Sequence, residues 1–346
     1  MTRTEATVTA RIVNGFVTLK DSGDPELLKA GRDGLSDEDL KRLGNGGGAR
    51  PQAIGGNPAG VVLDADGLSD AQMLEIAQKV GLSETAFVSR SKTEGFKLDF
   101  FTPTRRIAHC GHATIATFSY LAELGRVSEG GTSKETVDGP RKIIIRDGAA
   151  YMEQLAPRYE DPSEWADRGV QEQDVLNALG LALEDLDPRF SPKLANTGNS
   201  FVLVAVKDGA ALKAVKPGIA QIEAISEALD LIGFYVFTPN PGATSADATA
   251  RMFAPRYGIS EESATGMAAG PLACALYDHL GVRRPTLLIE QGHFMEPASP
   301  SEITVELNLD AGRVIGLMAG GYGAVMKELQ IKLDQSPVPA AGGGND

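Results

Sequence analysis

Two cysteines, Cys110 and Cys274, are too few in 346 residues for a disulfide framework or a structural zinc site, and no metal is expected. Basic charge is also scarce. The chain carries 33 Lys and Arg against 46 Asp and Glu, a net charge of −13 with a pI near 4.9. Without a basic surplus to displace counterions, a phosphate backbone is a poor partner, so no nucleic acid is expected. The opening Met1-Thr2-Arg3-Thr4-Glu5-Ala6 lacks the charged-then-apolar order of a signal peptide, and no apolar run is long enough to span a bilayer. A cytoplasmic setting with no membrane partner is the expectation. The length allows two domains of ordinary size, each with its own core.

Against these absences stands a phrase that occurs twice. Cys110-Gly111-His112-Ala113-Thr114-Ile115-Ala116 runs on to Gly125, and Thr265-Gly266-Met267-Ala268-Ala269-Gly270-Pro271 runs on to Gly281. In each copy a small residue and a Gly open a stretch of Ala, Thr and Leu that closes at a Gly. A Phe-x-Pro precedes each, Phe101-Thr102-Pro103 and Phe253-Ala254-Pro255. Two copies of a loop feeding a helix imply two similar domains. If the helix starts face each other across a cleft, that cleft is the place for chemistry.

Periodicity orders the rest. Thr7 to Thr18 reads as a strand through Val8, Ala10, Ile12 and Val13. From Asp21 to Gly56 the chain is polar and glycine-rich, an insertion or mobile loop with a possible short helix at Asp37 to Leu43. Ser69-Asp70 marks the N-cap of a helix that carries Met73, Ile76, Ala77 and Val80 on one face and ends at Gly81. Strands are expected at Val61 to Leu63, Phe87-Val88 and Phe96 to Phe101, and Asp147-Gly148 turns a hairpin between Lys142 to Arg146 and Tyr151 to Leu155. Ile115 to Leu124 reads as a helix whose one charge is Glu123, so it belongs inside a domain, wrapped by strands.

After Pro162 the pattern restarts. Helices are expected at Gln171 to Gly180 and Ile219 to Ile232, and strands at Phe201 to Val206, Phe234 to Phe237 and Ala248 to Phe253. The second uncharged helix, Ala268 to Leu276, contains Cys274 and precedes strands at Thr286 to Glu290, Glu302 to Leu307, Arg313 to Leu317 and Gly323 to Ile331. The implied domains are residues 1–160, with the insertion over about 21–55, and residues 161–321. A strand over about 322–333 is available to return to the first domain, and 334–346 reads as a disordered tail.

Gly56-Asn57-Pro58-Ala59-Gly60-Val61-Val62, then Leu82-Ser83-Glu84-Thr85-Ala86-Phe87, then Phe101-Thr102-Pro103 with Cys110-Gly111-His112-Ala113-Thr114, resemble the first half of the PhzF-like isomerases of phenazine biosynthesis. Arg251-Met252-Phe253-Ala254-Pro255, Gly258-Ile259 with Glu261, Ala264-Thr265-Gly266, Ala268-Ala269-Gly270-Pro271 and Glu290-Gln291-Gly292 resemble the second. The resemblance runs from about Thr7 to Ile331 apart from the insertion, and the order and spacing of the motifs make it specific. It implies an α+β, diaminopimelate-epimerase-like fold: two pseudo-symmetric domains, each a curled, mostly antiparallel sheet around a central helix, with the active site in the cleft between. It also implies proton transfer without a cofactor, and a homodimer.

Moving a proton between carbons needs a base of matched pKa, a way to return the proton, and donors for the charge that develops. The resemblance assigns Glu84 to the acid–base role; between Ser83 and an apolar strand, partial burial would raise its carboxyl pKa. It aligns His112 with an active-site histidine at the first helix start, where the helix N-terminus disfavours the imidazolium. No ligand cluster for a metal accompanies that histidine in the sequence. Backbone N–H groups of Gly111, His112, Gly266 and Met267 offer a site for a carboxylate or enolate-like oxygen of a small anionic substrate, although close helix packing is another reason for glycine there. Glu262 stands where the family has an aspartate and Met267 where it has a serine, which suggests a less polar wall and a substrate other than the phenazine precursor. Arg105 and Arg106 replace a common glutamate and either steer an anion or are simply solvated.

Cys110 occupies the position of one of the two opposed cysteines of the related epimerases and proline racemases, and Thr265 the other. A threonine hydroxyl is too weak an acid for two-base racemisation at neutral pH, but a Cys and Thr pair resembles the branch that dehydrates hydroxyproline. Cys110 is then either a reactive group or a small packed residue. Three functions fit: an isomerase that shifts a proton and double bonds in a small, anionic, cyclic metabolite through Glu84, His112 and Glu262; an epimerase or dehydratase using Cys110; and a ligand-binding protein without activity. The substrate-binding candidates are Ser83, Cys110, Gly111, Thr265, Gly266 and Met267.

Overall fold

Both copies of the repeated phrase become helices of 13 residues, Gly111–Glu123 and Gly266–Asp278, each buried along nearly its whole length. The computed structural model describes residues 7–20, 52–240 and 245–334. A helix that is apolar all round needs cover on every side, and strands supply it. Around Gly111–Glu123 the strand pairings close on themselves. Thr7–Lys20 pairs with Asn57–Val62, which runs parallel to Thr85–Ser89, and Phe96–Phe101, Gly130–Thr136, Gly139–Arg146 and Ala149–Leu155 follow. The last pairs with Arg313–Lys332, which returns to Thr7–Lys20.

The second central helix is wrapped by a run that stays open among the described residues: Arg158–Glu160, Lys193–Asn196, Ser200–Ala205, Gly233–Thr238, Ala248–Ala254, Thr286–Gln291, Ser301–Asp310 and the first half of Arg313–Lys332. Most pairings are antiparallel, and the architecture is the expected α+β curled sheet. Outer helices cover its other face. Asp70–Val80 starts on a capping box between Ser69 and Gln72 and ends at Gly81 with φ 71°, where a left-handed residue is needed. It packs Met73 and Ile76 against Phe87 and Phe101. Glu172–Leu179, Gly209–Ala214 and Ile219–Leu229 do the same for the second half through Val175, Leu212 and Ile222. The inner apolar cluster, from Phe118 to Leu272, runs through both halves without a break, and each such large side chain contributes about 1.5–3 kcal/mol by burial.

The elements depart from the sequence expectations in several places. The central helices begin at Gly111 and Gly266 rather than Ile115 and Ala268, so the Cys-Gly-His and Thr-Gly-Met runs are cap and first turn. The two strands expected at Arg313 to Leu317 and Gly323 to Ile331 are one, Arg313–Lys332. Its glycines continue the ladder instead of turning it: Gly316 to Gly321 pair with Ala150 to Leu155, and a Cβ on Gly320 would lie 2.2 Å from the Ala150 carbonyl oxygen. Within the expected insertion, Gln52–Ile54 is a short strand against Thr18 to Lys20. Residues 21–51 of that insertion, Asp37 to Leu43 included, lie outside the described residues. Of the expected tail, Asp334 donates its amide to Glu75 Oε1 at 2.6 Å and the remainder lies outside the described residues. Among the described residues no helix is long and apolar enough to cross a membrane.

Candidate active site

Cys110 is the N-cap residue of the first central helix and Thr265 of the second, and neither side chain caps its helix. Threonine is a good cap, so its release here has a cause. The Thr265 hydroxyl donates to Glu262 Oε2, and its amide donates to Gln291 Oε1 at 3.0 Å. Gly111 lets the helix starts approach, since a Cβ there would lie 3.1 Å from Met267 Cγ. At their meeting is a cavity of about 250 Å³ lined by Glu84, Cys110, Gly111 and His112 from one half and Glu262, Thr265, Gly266 and Met267 from the other. Phe201, Ile232 and Met252 add to Met267 an apolar wall, in keeping with the Met267 substitution.

Glu84 leads into Thr85–Ser89, His112 lies in the first helical turn, and Glu262 ends the strand Ile259–Glu262. His112 stands between the two carboxylates. Its Nε2 is 3.4 Å from Glu84 Oε2, and its Nδ1 is 3.2 Å from Glu262 Oε1 and 3.6 Å from Cys110 Sγ. Glu84 Oε2 and His112 Nε2 face each other, buried and without a hydrogen-bond partner among the described residues. Buried polar atoms of this kind are rare and mark where a further group fits.

The electrostatics correct one expectation. The helix N-terminus was expected to disfavour the imidazolium. Burial does push the His112 pKa down, but Cys110, the hydrogen bond to Glu262 and the Glu84 carboxylate outweigh it and hold the pKa well above its ordinary value. Burial pushes the Cys110 thiol up, with His112 opposing and Glu84 adding to the rise. A second correction concerns ligands. The sequence shows no cluster around His112, yet the fold brings one carboxylate oxygen, one thiol and one ring nitrogen from Glu84, Cys110 and His112 within 4.8 Å of one another, a grouping that could hold a cation.

Of the candidate site residues, Ser83 alone is left out: it is exposed and does not line the cavity. Arg105 is exposed and Arg106 pairs with Asp99 and Asp70, so neither reaches the site. Two supporting residues had no assigned role in the sequence. Asn57 Nδ2 donates to Glu262 Oε1 at 2.9 Å and to the Ala264 carbonyl at 3.0 Å. Gln291 accepts from the Thr265 amide and the Tyr235 hydroxyl and donates to the Glu262 carbonyl at 2.6 Å. Both sit in motifs visible in the sequence, Gly56-Asn57-Pro58 and Glu290-Gln291-Gly292, but only the fold shows that they converge on Glu262 and Thr265. His109, another cavity residue, carries no sequence signal beyond its type.

A family model described as phenazine biosynthesis-like protein, PhzC-PhzF, matches residues 51–327. Uncharacterized isomerase YddE of Escherichia coli strain K12 is 35% identical over 232 residues, 66% of this chain and 76% of the relative. Trans-2,3-dihydro-3-hydroxyanthranilate isomerase of Pseudomonas chlororaphis is 32% identical over 232 residues, 65% of this chain and 75% of the relative. Among solved structures, a PhzF-family phenazine biosynthesis protein of Bacillus anthracis superposes with a TM-score of 0.76 at 24% identity, covering 95% of this chain and all of that one.

Proposed function

The chain belongs to the phenazine biosynthesis-like PhzC-PhzF family and is an isomerase, and we propose that it moves a proton between carbons of a small, anionic, cyclic metabolite with Glu84 as its single acid–base group and no cofactor. The observation that carries this is the row Glu84, His112, Glu262 along one cavity wall, with the Glu84 oxygen that faces His112 left unpartnered.

The chemistry follows from the row. Glu84 takes a proton from a carbon next to a conjugated system, and the electron pair of that C–H bond moves into the ring. The protonated carboxyl then returns the proton to another ring carbon, the double bonds shift, and nothing is oxidised or reduced. Negative charge develops in between. Two helix starts, at Gly111-His112 and Gly266-Met267, direct N–H groups at the cavity, where such charge is stabilised most in a water-poor site. His112, favoured as an imidazolium, adds a charged donor beside the base. Glu262, fixed by Asn57 and Thr265, holds the imidazole in place.

Cys110 fits the base role less well. Burial pushes the Cys110 thiol up and so disfavours the thiolate that a cysteine base needs, although His112 opposes that rise. The relative named for trans-2,3-dihydro-3-hydroxyanthranilate supports the substrate class, a cyclic unsaturated acid. Met267 and the apolar wall support a different member of that class.

Incubating candidate cyclic acids with the protein in deuterated water tests the proposal. Deuterium should enter or transfer within a turned-over substrate, and Glu84→Gln should abolish this. Turnover that is indifferent to Glu84→Gln would dismiss it.

A further inference from the structure

Beside the proton-transfer groups lies a cluster they do not use. Lys134, in Gly130–Thr136, has no exposed surface, and no carboxylate among the described residues pairs with it. Its Nζ donates to Thr114 Oγ1 at 2.5 Å and meets His109 Nδ1 at 3.1 Å, above the Phe100 ring. The Thr114 hydroxyl is already committed as a donor to the Cys110 carbonyl at 2.6 Å, so its oxygen must accept from Lys134. An N–H of Lys134 is then available to His109 Nδ1, the arrangement in which the ring hydrogen sits on Nε2 and faces away from Lys134. His109 lines both the 250 Å³ cavity and an adjoining one of about 240 Å³.

Granting the proton-transfer reading, on which this rests, we infer that His109, aligned by Lys134, donates a hydrogen bond to a carboxylate of the substrate, held where the two cavities meet. At the reacting end two carboxylates, Glu84 and Glu262, flank the single imidazolium of His112, so a permanent carboxylate of the substrate is better placed away from them. Arg141, Asp138 and Glu153 around the second cavity are exposed and screened by water, whereas Lys134, which burial pushes well below its ordinary pKa, sets the His109 ring through a buried hydrogen bond. Burial also pushes His109 well below its ordinary pKa, with Lys134 and Arg141 adding to the shift, so the ring is a neutral donor. Lys134 acts through His109 and is a positioning residue.

Calorimetric titration of the full chain with benzoate, anthranilate and 3-hydroxyanthranilate, each against its carboxamide, tests this. The native chain should prefer at least one carboxylate by about ten-fold or more. His109→Leu should erase that preference, weakening carboxylate binding more than carboxamide binding. His109→Gln, which keeps an N–H donor in reach, should retain it. Lys134→Met should weaken carboxylate binding in the native background but not in His109→Gln, and should shift the ring-nitrogen resonances of His109, one of four histidines in the chain. Because it replaces a buried amine with an apolar chain of similar length, it should leave the unfolding temperature unchanged or higher.

A native chain with no carboxylate preference, a His109→Leu variant that keeps the preference, or resonances unmoved by Lys134→Met would each overturn the inference. Glu84→Gln separates it from the proton-transfer reading: deuterium exchange should vanish while the carboxylate preference stays. Exchange that survives Glu84→Gln, in a chain still needing His109 to bind carboxylates, would defeat proton transfer by Glu84 and leave the anion site standing.

Discussion

His112 Nδ1 and Glu262 Oε1 lie 3.2 Å apart, joining the start of the first central helix to the strand that precedes the second. Neither half of the chain holds this pair alone. Asn57 donates to the same Glu262 oxygen from the first half and so fixes the carboxylate against the imidazole. A site assembled this way is sensitive to any change that lets the halves drift, and a misplacement of even about 1 Å can cost two orders of magnitude in rate.

Glu84→Gln keeps the shape of the side chain and removes its ability to exchange a proton. Turnover of a verified substrate, measured by deuterium incorporation, is expected to fall by about 10²- to 10⁴-fold with the fold intact.

Cys110→Ala is expected to leave turnover within about ten-fold of the native value, because the His112 Nδ1 that the thiol meets at 3.6 Å is also held by Glu262 Oε1 at 3.2 Å. A loss comparable to that of Glu84→Gln would instead favour the epimerase or dehydratase reading.

Glu290 is buried, and burial pushes its carboxyl up to about 8 against the opposing pull of the His293 amide and Thr249. The unfolded chain releases this proton near the ordinary value of about 4.3. Between the two values the folded state binds more protons, so stability falls as pH rises across that window, by roughly 2–4 kcal/mol after allowing for relaxation. Urea unfolding from pH 5 to 9 should show the slope, and Glu290→Gln should flatten it.

His112 gives a slope of the same sign for a different reason. Its folded pKa is raised, so it contributes stability that is fully present below its unfolded value of about 6.5 and is lost as pH rises through the folded value. His112→Asn should remove that part of the pH dependence; an unchanged profile would mean that the imidazole is not held charged.

Gln291→Ala strands the Thr265 amide and the Tyr235 hydroxyl without their buried acceptor. A stability loss of about 1–3 kcal/mol is expected, together with a drop in turnover as Glu262 loses its backbone anchor. Chemical denaturation and rate measurements on one preparation would separate the two effects.

Local signals in the chain carried far. The near absence of charge between Ile115 and Leu124 was enough to bury a helix, and Ser69, Gly81 and Asp147-Gly148 marked a cap, a stop and a turn, because each depends on a few adjacent residues. The continuous strand Arg313–Lys332 was not legible, because glycines read as breaks unless the backbone packed against them is known. Ser83 looked like part of the site through adjacency to Glu84, but neighbours along a chain leading into a strand need not face the same way.

The sequence by itself determined the two helix repeats, the family and the identities of Glu84, His112 and Glu262, since these are matters of pattern and residue type. Tertiary structure alone decided that His112 lies between two carboxylates and favours its charged form, that Asn57 and Gln291 converge on Glu262 and Thr265, and that Lys134 is sealed against His109. The reason is that protonation and hydrogen-bond partnership depend on burial and on distances of a few ångströms between residues far apart in the chain, and no local pattern encodes either.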